Sequence, residues 1–148
     1  MRQSKILAVA TLIAASAACT TGRYSAAAFH LPSGGDATKG QAAFLELGCH
    51  SCHTVYGAPA LPKPTAQQPV VVVLGGDVTE KPSDAYLVTS MIDPSYALAS
   101  YPKEWITADG RSRMPGYADR LTGRQMTDLV AFLNAHYTIS TLRPGYMR

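Results

Sequence analysis

Cys49-His50-Ser51-Cys52-His53 is the stretch that decides how this chain reads. Two thiols three residues apart, with a histidine directly after the second, form the C-x-x-C-H pattern of covalent haem attachment. The order follows from the chemistry. Each thiol adds to one vinyl group of haem, and the two thioethers fix the porphyrin against a single turn of backbone. His53 then lies beneath the ring and offers iron a neutral imidazole nitrogen. A zinc site needs four Cys or His ligands, usually in two spaced pairs, and Cys19 is the only other cysteine. A redox dithiol belongs in a βαβ setting, which the rest of the sequence lacks.

The N-terminus is consistent with haem loading outside the cytoplasm. Arg2 and Lys5 make a short basic start, residues 6–14 are apolar, and Ser16-Ala17-Ala18 precede Cys19. That is a secretory signal over residues 1–18, and its apolar run is too short for a stable membrane span. Ser16-Ala17-Ala18-Cys19 resembles a bacterial lipobox, which implies a lipid on Cys19 and attachment to a membrane. A lipobox more often has Leu where Ser16 stands. Thr20, in place of an Asp, points to the outer membrane. Two cysteines for haem and one for lipid then account for all three thiols.

Composition bounds the remainder. At 148 residues the chain has room for one domain, and 47% hydrophobic with 16% charged residues is ordinary for a globular protein. The net charge of +3 falls to about +1 without Arg2 and Lys5, so no basic patch points to nucleic acid. Residues 19–35 mix small and polar side chains with Gly22, Pro32, Gly34 and Gly35, which reads as a flexible tether of roughly 20–25 Å reach. The domain proper spans residues 36–148.

Within it, Asp36 caps a helix over residues 37–47 that Gly48 ends. Residues 69–74 hold four consecutive valines, and since one isolated strand makes no sheet, they are expected as extended chain over the haem edge. Ser83 caps a short helix reaching Asp93, with Tyr86, Leu87, Ser90 and Met91 near one face and Pro94 as its stop. Residues 94–113 read as a long functional loop. Thr122 and Gln125 form a capping box, and Met126, Leu129, Val130, Leu133 and Tyr137 follow the spacing of one buried helical face.

This arrangement resembles a bacterial monohaem cytochrome c domain of class I (mitochondrial type) over about residues 36–137. Gly40 and Phe44 match the family's Gly-x-x-x-aromatic pattern, and Leu129 with Phe132 its apolar-x-x-aromatic pattern. The resemblance implies an all-α fold whose N- and C-terminal helices cross, with a short middle helix and long loops wrapped around one covalent haem c. Met114-Pro115-Gly116-Tyr117 resembles the family's M-P-x-[YF] loop, which implies Met114 as the second axial ligand beside His53. A thioether favours Fe(II) and raises the potential. Pro59-Ala60-Leu61 resembles the P-x-L in which the proline carbonyl bonds the ligating histidine. Tyr101, Trp105, Arg111 and Arg113 are candidates for contacts to the haem propionates, Trp105 foremost.

The other sulfur and imidazole groups have plainer roles. Met91 and Met126 sit at core spacing, Met147 lies in the tail, and His30 falls in the tether. His50 should point away from iron, and His136 reads as a solvated cation at a helix end. The resemblance implies a non-enzymatic carrier of single electrons between respiratory or oxidoreductase partners on the periplasmic face. Two alternatives remain: a haem subunit of a larger oxidoreductase, and a haem sensor or small peroxidase with a displaceable Met114.

Overall fold

The computed structural model describes residues 29–140. Cys19, the signal segment, the start of the tether and Met147 lie outside them. Helix α1 (Ala37–Glu46) begins where the Asp36 carboxylate accepts from the amides of Thr38 and Lys39 at 2.9 and 3.2 Å. Gly48, at φ 75°, turns the chain out of it into a 3-10 turn over Cys49–Ser51. Strands β1 (His53–Val55), β2 (Val72–Leu74) and β3 (Gly76–Val78) follow, then helix α2 (Asp84–Ile92), which starts where the Ser83 hydroxyl accepts from the Tyr86 amide. A one-turn helix α3 (Lys103–Ile106) leads into strands β4 (Thr107–Ala108) and β5 (Arg111–Ser112). Helix α4 (Gly123–Ala135) carries the expected Thr122/Gln125 capping box, and strand β6 (Tyr137–Ile139) ends the order. None of these helices is long and apolar enough to cross a membrane.

The core is the crossing of α1 with α4. A Cβ at Gly40 would run into the Asp128 carbonyl and the Phe132 Cβ, so only glycine lets the two backbones meet there. Phe44 and Phe132, 2% and 1% exposed, fill the angle with ring centroids 5.6 Å apart. Asp128 is buried in the same crossing. Its carboxylate accepts the Asp36 amide at 2.8 Å and the Arg124 Nε at 3.1 Å. The Asp36 amide, chiefly, holds this carboxyl below its usual range.

Expectations for the valine run, the 94–113 loop and His136 are revised by this architecture. The valine run is not isolated chain. β2 pairs in parallel with β1, His53 opposite Val72 and Val55 opposite Leu74, while β3 pairs with β6, so short strands accompany the helices. The partner of β2 is only three residues long and overlaps the haem motif, which hides it from a search for hydrophobic runs. The 94–113 loop contains α3 and a β4–β5 hairpin, turned by Asp109 and Gly110 at φ 52° and 76°. His136 is half-buried: its Nδ1 donates to the Phe132 carbonyl at 2.8 Å and its ring meets Phe132 edge-on. The end of the tether segment lies against the domain, with the Leu31 amide donating to Asp84 at 3.0 Å.

Candidate haem site

The functional side chains come from four parts of the chain. Gly48 and the 3-10 turn present Cys49 and Cys52, and β1 begins on His53. β2 is placed by its pairing with β1, and alternation along residues 70–74 sends Val70, Val72 and Leu74 inward while Val71 and Val73 stay exposed. The Tyr86, Leu87, Ser90 and Met91 face of α2 closes another side, and Phe44, Leu129 and Leu133 from the helix crossing form the floor. Together they enclose a mostly apolar cavity of about 260 Å³.

Both thiols, His53, Trp105, Arg113 and Met114 line this one cavity. Trp105 is 44% exposed, so it stands at the rim. Pro59, Tyr101, Arg111 and Met126 are not among its lining residues. Met91 reaches it from α2 as part of the apolar wall.

Protonation in the site suits ligation rather than thiol redox chemistry. Burial pushes the Cys49 thiol up to about 11, whereas a reactive redox cysteine has its thiolate stabilised and its value lowered. Burial also lowers His53 below the ordinary histidine value, which keeps the imidazole neutral. Its Nδ1 faces the Val72 carbonyl at 3.3 Å. A proton held there leaves the Nε2 lone pair free for a metal. The acceptor is thus Val72 in β2 rather than Pro59, which is exposed in the loop after β1. Among the described residues, no group of three or more His, Cys, Asp or Glu is placed to hold a metal ion by itself.

The loop carrying Met114 is held by polar contacts. The Met114 amide donates to Ser112 Oγ at 3.2 Å, and the Ser112 amide to Ser95 Oγ at 3.1 Å. Tyr117 is 8% exposed; its amide donates to the Met91 carbonyl at 2.9 Å and its hydroxyl to the Leu47 carbonyl at 3.3 Å.

The family model for cytochrome c matches residues 37–136, from the first residue of α1 to the residue that caps the end of α4. The chain belongs to the cytochrome c family. No curated protein and no solved structure matches it. A cytochrome c domain carries covalently attached haem c, typically one per domain, and supports haem-based electron transfer. The lining fits such a group: two thiols at the attachment spacing, a neutral imidazole whose other nitrogen is engaged, and apolar walls on α1, β2, α2 and α4.

The residues missed from sequence are Val72, Ser95 and Ser112. Val72 acts here through its carbonyl, and Ser95 and Ser112 through hydroxyls that accept backbone amides, none of which a side-chain motif reveals. The Asp109-Gly110 pair was a readable signal for the hairpin that places Ser112, because Asp-Gly between short extended runs favours a two-residue turn.

Proposed function

We propose that this protein is a membrane-tethered monohaem electron carrier, passing single electrons between redox protein partners on the periplasmic face of a bacterial membrane. The observation that carries this reading is the convergence of Cys49, Cys52, His53 and Met114 on one apolar cavity. Cys49 and Cys52 would hold the haem through thioethers, and His53 and Met114 would ligate its iron. When bound, the haem supplies a one-electron Fe(III)/Fe(II) couple, whose potential Met/His ligation raises. The chain's own residues do the rest. The Val72 carbonyl orients His53, the valine and leucine walls exclude water, and Trp105 and Arg113 offer donors to the propionates.

With His53 and Met114 both as ligands, the iron would have no open place for a substrate, which favours a carrier over a catalyst. Electron-transfer partners meet through small, transient contacts. At a near-neutral charge, a lipid on Cys19 would raise the effective concentration of partners at the membrane surface.

Met114→Ala tests the ligand set. Haem should stay attached, the ferric Met–Fe band near the red edge of the visible spectrum should vanish, the potential should fall and ferrous protein should bind carbon monoxide readily. Met126→Ala should change none of these. A wild type that already binds carbon monoxide rapidly and lacks the band would make the sensor or peroxidase reading the better one. Cys19→Ser should release a soluble, haem-loaded protein. Retention on membranes after a high-salt wash would instead favour the subunit of a larger oxidoreductase.

A further inference from the structure

We infer that Tyr117 is a positioning residue whose hydroxyl ties the Met114 turn to the end of α1 and so keeps the methionine sulfur over the cavity. The inference rests on the reading of Met114 as axial ligand. Leu47 is the C-cap of α1, two residues before Cys49, and its carbonyl is among those a helix end leaves without an intrahelical partner. The Tyr117 hydroxyl donates to that carbonyl at 3.3 Å across 70 residues of sequence. One bond thus joins the turn that presents the thiols to the turn that presents the thioether.

The geometry around Tyr117 leaves this bond a clear job. The ring lines the cavity and is 8% exposed, and a buried phenol needs a partner for its O–H. Its amide already anchors the turn to α2 through the Met91 carbonyl at 2.9 Å. Gly116 sits so close to the Ile92 carbonyl that a Cβ there would approach it to 2.9 Å. The turn is therefore seated on the end of α2 by backbone alone, and the Tyr117 side chain is what reaches α1. Phenylalanine would fill the same volume without the tie.

The test uses full-length, haem-loaded protein and reads the rate at which imidazole displaces the sulfur ligand from ferric iron, followed by loss of the Met–Fe(III) band. Tyr117→Phe should retain its haem and its band and lose the ligand about three- to tenfold faster, the factor commanded by one neutral hydrogen bond. Thr122→Ala removes a helix-cap hydrogen bond of similar strength from α4 and should leave the displacement rate unchanged. An unchanged rate in Tyr117→Phe overturns the tie, as does an equal acceleration in Thr122→Ala, which would mark a general loss of stability. A wild type without the band overturns the ligand reading itself, and with it this proposal.

Discussion

The two halves of the haem cavity are built by different means. On one side α1 and α4 meet backbone to backbone at Gly40, with Phe44, Leu129 and Phe132 at 2% exposure or less. On the other, residues 94–117 hold their shape through a one-turn helix, a two-residue hairpin and scattered hydrogen bonds from Ser95, Ser112 and Tyr117. The first half is sealed by contacts between its own two helices. The second has its apolar side chains, Leu98, Trp105, Ile106 and Met114, facing that space. Cys49 and Cys52 therefore lie just beyond the side built by helix packing, and Met114 on the side held by scattered hydrogen bonds.

The strongest way to break this comparison is to remove what lies between the halves. Cys49→Ala combined with Cys52→Ala should give a chain that fails to fold or is degraded. Without haem the apolar lining of the cavity faces water, and residues 94–117 lose the surface their apolar side chains pack on. A double mutant showing a cooperative denaturant transition without haem would show that the second half also stands by itself.

A smaller effect sharpens the account of the rigid half. Gly40→Ala should force the helices apart and cost about 1–3 kcal/mol or somewhat more, as overpacked cores do. Urea denaturation measures it, and the Met–Fe(III) band should survive. If the band is lost before the fold, the two halves are coupled more tightly than the packing implies.

The smallest effect is a pH dependence. Because the folded Asp128 carboxyl is held below its unfolded value, its stabilisation is present above about pH 3.9 and is lost as pH falls through the folded value. Asp128→Asn should flatten the acid limb of the stability curve while leaving the haem spectrum at neutral pH unchanged. An equally steep acid limb in that variant would assign the loss to other carboxylates.

The same division explains what could be read in advance. The Asp36, Ser83 and Thr122 caps, the Gly40–Phe132 crossing and the thiol turn depend on local or periodic signals, and all are present in the fold. The all-helical expectation held for the four helices but missed the strand pairs. A parallel pair needs partners from distant parts of the chain, and neither three-residue strand carries enough alternation to announce itself. The histidine's carbonyl partner was missed for the same reason, since Val72 meets His53 through that pairing. Asp128 was overlooked because a lone aspartate inside an amphipathic helix looks solvent-facing until its partner, the Asp36 amide, is brought to it.

The crossing of α1 with α4 also sets an order of events in time. The Asp36 amide and the Asp128 carboxylate that seal it are 92 residues apart. When a chain emerges N-terminus first, all of that interval must appear before the crossing can close. Until α4 exists, α1 has nowhere to bury Phe44, and the thiols just beyond it stand on a helix without its partner. The chain thus presents its attachment sequence early and acquires the means to enclose it last.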